Sequence, residues 1–410
     1  MKKLEVLKGM KKIVVSVLAI ILALGLVACG QSNSSPGKGQ SGNSQQGSTG
    51  DQIIIGNLQD LSSTTSVWGK AVTNGAQLAI DRINKDGGIN GKKLKLVTYD
   101  TKNDVQEAIN AYNRLASQDK AAAIIGPPVS NIGIALAPIA ENTKVAILGS
   151  FIDERATTKN DGKPWGYNFL IQPSSVQQAQ IVAGYTMDKL NVKKIGVLYN
   201  QANAYSVSLA KPFIDYVKSH GSQIVSEQTY KTSDKDYKTQ LAEIQATGAE
   251  AIFIPNYIQE DVLAVQQARQ MGINVPIVGG LDFAPPFAEL AGDAANDVYF
   301  PNNIAAEDPQ IKEVAAAYKA AYNEEPLNKA FIGYDSILVI ADAIKRAGTP
   351  DPVKVRDALE QTKDLKGTTG IISISPKTHR PYGLSMVMIK IEKGQYVTKE
   401  RYITKEQQQQ

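Results

Sequence analysis

The chain has 410 residues, a formal charge of +4, one cysteine and two histidines. Five lysines and one glutamate fall in the first 28 residues, so the remainder is formally neutral, which excludes a basic nucleic-acid footprint. A single cysteine also excludes a disulfide framework, leaving stability to apolar cores of a size that this length supplies readily as two domains.

Residues 1–28 divide into a basic head (Lys2, Lys3, Lys8, Lys11, Lys12), an apolar-to-small run from Ile13 to Ala28 and an abrupt polar change. This order reads as a secretory signal peptide. The run is shorter than the roughly 20 apolar residues that cross a bilayer, and no stop-transfer charges follow it. Met10-Lys11-Lys12 would make an adequate signal by itself, so the start is Met1 or Met10. Leu26-Val27-Ala28-Cys29 resembles a bacterial lipobox, which implies cleavage before Cys29, its acylation with a chain such as palmitate, and a lipoprotein held on the extracytoplasmic face of the membrane. Residues 29–50 hold Gly, Ser, Gln and Asn with almost nothing apolar, the composition of a flexible linker with an r.m.s. span of roughly 25 Å.

From Ile53 onward short β-rich runs alternate with helical patterns, which predicts parallel sheets built of βαβ units. The first strands are expected at Ile53–Gly56, Leu94–Val97, Ala123–Gly126 and Val145–Leu148. Ala76, Ile80 and Ile83 mark a helix face stopped by Gly87-Gly88. After Trp165–Pro173 the plan repeats, with strands at Ile195–Leu198, Gln223–Val225, Ala251–Ile254, Pro276–Gly279 and Val298–Phe300. Two α/β units in tandem imply two lobes facing each other. Helices Ile311–Tyr322 and Ser336–Arg346 follow, then a strand-like tail from Ile371 to Val397 whose division between the lobes the pattern leaves open.

Ligands of open α/β sheets bind beyond the carboxyl ends of the strands, so the residues just after each strand are the candidates. They include Asp60–Trp68, Pro127–Ser130 and Gly149-Ser150-Phe151 in the first series, then Asn200–Tyr205, Asn256-Tyr257 and Gly280–Phe283 in the second. Rings, hydroxyls, amides and one carboxylate suit a small polar or zwitterionic ligand. Ser130 and Asn131 precede the apolar run Ile132, Ile134, Leu136, at a helix N-terminus whose free N–H groups favour a carboxylate; Ser130 serves equally well as a plain N-cap. Asp282, the only acid between Val278 and Pro286, is placed to take a ligand ammonium. Trp68, Tyr205 and Tyr257 are candidate walls, with Phe151 and Phe283 weaker ones.

Enzyme chemistry finds few tools. His220 precedes Gly221 at a helix end and reads as a C-cap; His379 stands in a Ser-Pro-Lys-Thr-His-Arg-Pro loop expected at the surface. The chain carries no phosphate loop, no zinc-protease or nucleophile-elbow motif and no metal-spaced Cys/His set. The expectation is a binding protein without cofactor or metal, not an enzyme.

Three blocks then carry a resemblance: Ile54-Ile55-Gly56 through Trp68-Gly69, Asn74–Ile80, and Ile83–Leu94 with its Asn-Lys-Asp-Gly-Gly-Ile-Asn-Gly-Lys-Lys run. With Ile125-Gly126, Ser130, Ala137-Pro138, Gln172-Pro173-Ser174, Gln177, Gln178 and Gly367-Thr368-Thr369-Gly370, they resemble the leucine/isoleucine/valine-binding protein family. The resemblance implies the type I periplasmic-binding-protein fold, two Rossmann-like lobes with parallel-type sheets joined by a three-strand hinge and closing on a ligand. The expected division is 51–172 with 304–382 for the N-terminal lobe, 173–303 with 383–405 for the C-terminal lobe, and a disordered tail at 406–410.

It further implies a monomer that hands an amino acid, branched-chain or related, to the permease subunits of an ABC importer. Ser130 matches the family's carboxylate-binding serine, Tyr205 and Tyr257 its cleft aromatics, and Asp282 its acid for the ligand's amino group; Trp68, Ser150, Phe151 and Asn256 complete the expected site. One departure is plain: where the family presents a small-small-Thr segment, this chain has Ser150-Phe151-Ile152. Ser150 keeps a hydroxyl, the threonine donor is missing, and a phenylalanine is free to enter the cleft. Another small polar solute such as an amide, or a lipid-anchored sensor serving a membrane receptor, stands as the alternative.

Overall fold

β-branched runs and amphipathic helices assemble into two sheets, each covered by helices. The computed structural model describes residues 52–304 and 309–405. The segments expected to form a signal peptide, a linker and a disordered tail, with Cys29, lie outside the described residues.

The first sheet forms from β1 (Gln52–Gln59), β2 (Lys93–Asp100), β3 (Ala123–Gly126), β4 (Ile147–Gly149) and β5 (Asn168–Leu170), in the order β2-β1-β3-β4-β5 and parallel throughout. Helices α1 (Ser66–Lys85), α2 (Val105–Ser117) and α3 (Ser130–Thr143) connect its strands. The chain then passes through α4 (Ser175–Asp188), β6 (Lys194–Asn200), α5 (Ala204–Ser219), β7 (Gln223–Tyr230), α6 (Lys238–Ala246), β8 (Ala251–Ile254), α7 (Ile258–Gln270), β9 (Ile277–Gly279), α8 (Phe287–Ala291) and β10 (Val298–Asn302). It next forms α9 (Pro309–Tyr322), α10 (Asn328–Ala347) and α11 (Pro352–Glu360), the short pair β11 (Leu365–Lys366) and β12 (Ile371–Ile372), and the hairpin β13 (Met386–Glu392) and β14 (Gln395–Tyr402).

The second sheet has the order β14-β13-β10-β9-β8-β6-β7, parallel from β10 to β7 and antiparallel where the tail hairpin joins. Two lobes result. The core of the first gathers Ile55, Ile124, Leu148 and Phe169 with Ile337 and Ile340 of α10, while the second gathers Leu198, Phe253 and Phe300 with Met388 of the tail. The chain therefore crosses between lobes after β5, after β10 and before β13.

The first crossing is well defined. Ser174 and Gln177 close a reciprocal capping box at the head of α4, and Gln178 Nε2 donates to the Pro173 carbonyl at 2.7 Å. The strand β5 inside Trp165–Pro173 was not foreseen. Three residues are too few to show a period of two, and the strand is specified by its pairing with β4. The loop expected at the surface is instead folded onto this edge: Leu170 N–H donates to the His379 carbonyl, and His379 is fully buried with its ring stacked 4.1 Å from Phe169. Its Nδ1 lies 2.9 Å from the Trp165 carbonyl and its Nε2 3.0 Å from Glu360. An open strand edge invites covering, and this loop supplies the cover.

α10 is buried on nearly every face, and its Asp335 explains the Gly367–Gly370 motif. Thr368 and Thr369 each donate a backbone N–H and a hydroxyl to the Asp335 carboxylate at 2.7–2.9 Å. A Cβ at position 367 would stand 2.7 Å from that carboxylate, so only glycine fits. Burial still pushes the Asp335 pKa up despite the four donors. Asp335→Ala orphans all four and is expected to cost about 2 kcal/mol or more, read as a lower urea midpoint at unchanged slope.

Candidate functional site

The loop that ends β1 is organised by one side chain. Asp60, fully buried, accepts from the N–H groups of Ser62 (3.2 Å) and Ser63 (2.7 Å) with one oxygen, and from Thr65 N–H and hydroxyl (both 2.8 Å) with the other. This delivers the chain into α1 with Trp68 on its first turn. The next residue has no room for a side chain, since a Cβ on Gly69 would lie 1.9 Å from the Asp60 carbonyl oxygen.

Trp68 begins on the first lobe and finishes among the second lobe's core residues. Its Nε1–H donates to Asp282 Oδ1 at 2.8 Å, a buried hydrogen bond across the seam. Asp282 lies in the single helical turn Leu281–Phe283 after β9 and is only 3 % exposed. Burial pushes its carboxyl above the ordinary aspartate value; the charge of Lys329, the Tyr205 hydroxyl, the Trp68 indole and the Ile258 N–H at the head of α7 pull the other way.

Tyr205, at the start of α5, stacks on Tyr257, the residue capping α7, with centroids 4.8 Å apart and planes 18° from parallel. The Tyr205 hydroxyl lies beside Asp282 without a hydrogen bond of normal geometry, and burial with that nearby negative charge drives its pKa well up. The Tyr257 hydroxyl reaches back across the seam to accept from Ser130 N–H at 3.3 Å. Asn131 Oδ1 next to it accepts from Ala204 N–H at 2.9 Å. These three hydrogen bonds join the lobes along the seam, and a fourth runs from Asn328 Nδ2 to Asn302 Oδ1 at 3.1 Å.

Ser130 is the first residue of α3, the cap position being held by Val129. Its hydroxyl is fully buried and has no partner among the described residues, and the same holds for the Ser150 hydroxyl at the end of β4. Since β3 and β4 are neighbours that end together at Gly126 and Gly149, both hydroxyls emerge from the same end of the first sheet. Beside Tyr257 a cavity of ≈ 330 Å³ opens between the lobes, lined by Thr64, Asn131 and Ile132 on one side and Asn203, Tyr257 and Glu260 on the other.

Two expected site residues turn away. The Phe151 ring fills a slot in the first lobe left by Gly133 and Gly149, where an added Cβ would come within 2.5 and 2.0 Å of it. It is core, so Ser150-Phe151-Ile152 does not put a phenyl group in the cleft; the apolar slot wins the ring. Asn256 is also committed: its Oδ1 accepts from Asn200 N–H and the Ser206 hydroxyl, both at 3.0 Å, and its Nδ2 faces the Leu198 carbonyl. That side chain braces the loops behind Tyr205 and Tyr257.

One residue was missed altogether. Lys329, on the first turn of α10, is 4 % exposed, and its ammonium makes no hydrogen bond or ion pair among the described residues. Burial lowers its pKa, and the Asp282 charge acts in the opposite direction. A signal existed: Ala330–Ile344 is apolar but for Tyr334, Asp335, Ser336 and Asp342, so a helix through it is largely buried and takes Lys329 inside with it.

With this geometry in place, the relatives are informative. Residues 52–395 match the periplasmic binding protein family, and the chain belongs to it. The Leu/Ile/Val-binding protein BraC3 of Rhizobium johnstonii is 26 % identical over 353 residues, 85 % of this chain and 94 % of that one. The branched-chain amino acid transporter substrate-binding protein LivJ of Streptococcus pneumoniae, solved with isoleucine, superposes with a TM-score of 0.79 at 31 % identity, covering 86 % of this chain and 99 % of its own. The leucine-binding protein LivK of Thermotoga maritima gives the same TM-score at 27 % identity, with the same coverage of both chains. The family is one of solute-binding proteins with two lobes. Among the described residues no helix is long and apolar enough to cross a membrane.

Gly69→Ala must displace the Asp60 loop that carries Trp68, and is expected to destabilise by about 1–3 kcal/mol in denaturant unfolding.

Proposed function

We propose that this chain is an extracytoplasmic, lipid-anchored solute-binding protein that closes its two lobes on an amino acid, branched-chain or related, and delivers it to the permease subunits of an ABC importer. The observation that carries this reading is the seam itself. A buried carboxyl group, Asp282, takes the Trp68 indole N–H, and two stacked tyrosines lead from beside it to Ser130, whose hydroxyl is unpartnered at a helix N-terminus. An acid on one side and a helix head with free hydroxyls on the other form a frame for a zwitterion, taking its ammonium and its carboxylate respectively. The names of the relatives, which bind leucine, isoleucine and valine, support the amino-acid class.

In this reading Trp68, Tyr205 and Tyr257 wall the ligand, Ser130 and Ser150 supply hydroxyls to its carboxylate, and Asp282 takes its ammonium. The lobes are residues 51–172 with 304–382 and 173–303 with 383–405, and the crossings between them act as the hinge. A ligand touching both lobes favours the closed form by its differential affinity for it, and the closed form is what a permease would recognise. Cys29 carries the lipid, and residues 29–50 leash the lobes near their permease.

Three outcomes test the reading. By calorimetry, Asp282→Asn should weaken amino-acid binding by about 2 kcal/mol or more, the loss of a charge-assisted contact in a desolvated site. Affinity should also depend on pH. The carboxylate is the form that takes an ammonium, and burial holds the pKa of Asp282 above the ordinary 3.8. Binding is therefore full above that raised pKa and falls as acidification passes through it, starting at a higher pH than an exposed aspartate would give. Finally, Cys29→Ser should release the protein from the membrane fraction and abolish labelling by palmitate.

A further inference from the structure

His379 has no part in the solute-binding reading, yet both of its ring nitrogens are engaged. The ring is fully buried, in the loop that covers the edge of β5. Nδ1 lies 2.9 Å from the Trp165 carbonyl oxygen and Nε2 3.0 Å from Glu360 Oε1. A carbonyl and a carboxylate only accept, and a neutral imidazole has a single N–H to give. One of the two contacts would then set a lone pair against an oxygen. Turning the ring over would offer carbon atoms to both. The imidazolium, with a proton on each nitrogen, makes both bonds.

The surrounding charges call for the same proton. Arg356 donates to both oxygens of Glu360, at 3.1 and 2.8 Å, and pairs with Asp357 at 2.9 Å. Burial pushes the Glu360 pKa up, but the bonds from His379 and Arg356 hold it below the ordinary glutamate value, so it is a carboxylate. Glu360, Arg356 and Asp357 together carry one negative charge, and a proton on His379 brings the cluster to neutrality. Two flanking cations have partners of their own: Arg380, next in the loop, pairs with Glu154 at 2.6 Å, and Lys159, over the Trp165 ring, with Glu141 at 3.4 Å. From β5 the facing group is the Phe169 ring, stacked at 4.1 Å.

Burial and the Arg356 charge pull the His379 pKa down, while the bonds to Glu360 and Trp165 and the Glu360 charge pull it up. The hydrogen-bond pattern decides for the second group, because the neutral ring cannot make both bonds that the backbone and α11 set up.

The loop has a second neighbour. Ser375, Lys377 and Tyr382 form one wall of a groove of ≈ 500 Å³, and Ser174 and Val176 at the head of α4 form the other, so the loop faces the second lobe at the first crossing.

We propose that His379 is a proton-held clasp: as an imidazolium it ties the loop 375–382 to β5 and α11, and loss of its proton slackens the loop beside the hinge. The clasp works whatever the solute.

The test is nitrogen-15 NMR of the purified protein across a pH series. The chain has two histidines, so a His220→Gln variant assigns the signals. The His379 ring is expected to show two protonated nitrogens at neutral pH and to titrate above the ordinary value of about 6.5. A proton bound more tightly in the folded chain stabilises it fully below that ordinary value, and the contribution is lost as pH rises through the higher folded one. Glu360→Gln keeps the shape and removes the charge; with its fold checked by a thermal melt, it should lower the midpoint by about one pH unit or more. Hydrogen exchange read by mass spectrometry follows the loop. After correction for the intrinsic effect of pH, amides of 375–382 should exchange at least ten-fold faster above the midpoint than below it. A single neutral tautomer at neutral pH, or a midpoint below about 6.5, would overturn the protonated ring. A raised midpoint with loop exchange unchanged across it would overturn the clasp.

Discussion

Asp282 places a carboxyl group where solvent scarcely reaches, and much of the seam is arranged around that fact. Burying a carboxylate costs several kcal/mol unless neighbours compensate, and here the compensation comes from both lobes. The indole N–H arrives from α1 of the first lobe, and the tyrosine hydroxyl and the α7 N–H come from the second. With the lobes apart, the carboxylate would lose the Trp68 donor and regain water. Closure is thus coupled to desolvation of an acid.

The precision of that arrangement comes from a stiff support. α1 and α10 pack so closely that a Cβ on Gly75 would lie 1.8 Å from the Ala330 carbonyl oxygen, and one on Gly333 would lie 2.1 Å from that of Val72. Trp68 stands one turn before this contact and Lys329 next to it, so the main chain fixes the spacing from which both side chains start. The Asp60 loop fixes the other end of α1. Groups carried on rigid main chain in this way keep their geometry to better tolerance than groups on a loop do.

Much of the architecture was legible because its strands are short, apolar and regularly spaced, and β1, β3, β6 and β8 fall where the β-branched runs stand. β5 was not legible, since three residues have no period, and neither was the antiparallel hairpin at the end, whose partner β10 lies more than eighty residues earlier. In the site, the rule that ligands lie beyond strand ends brought Trp68, Ser130, Tyr205, Tyr257 and Asp282 to one seam. The same rule misplaced Phe151 and Asn256, because it selects positions and is blind to direction: a glycine slot turned one inward and a backbone N–H claimed the other. Lys329 escaped it by lying on a helix, and His379 was judged by its polar neighbours rather than by the sheet edge it covers.

The position of Trp68 has one more consequence. The sequence holds two tryptophans, and Trp165, in the loop before β5, stays with the first lobe while its ring lies under the Lys159 ammonium. Trp68 alone spans the seam, its ring among second-lobe apolar groups and its indole N–H on a carboxylate. Parting the lobes exchanges that environment for water, whereas Trp165 keeps its surroundings. The molecule therefore carries its own optical gauge of closure, with an internal reference built into the same chain.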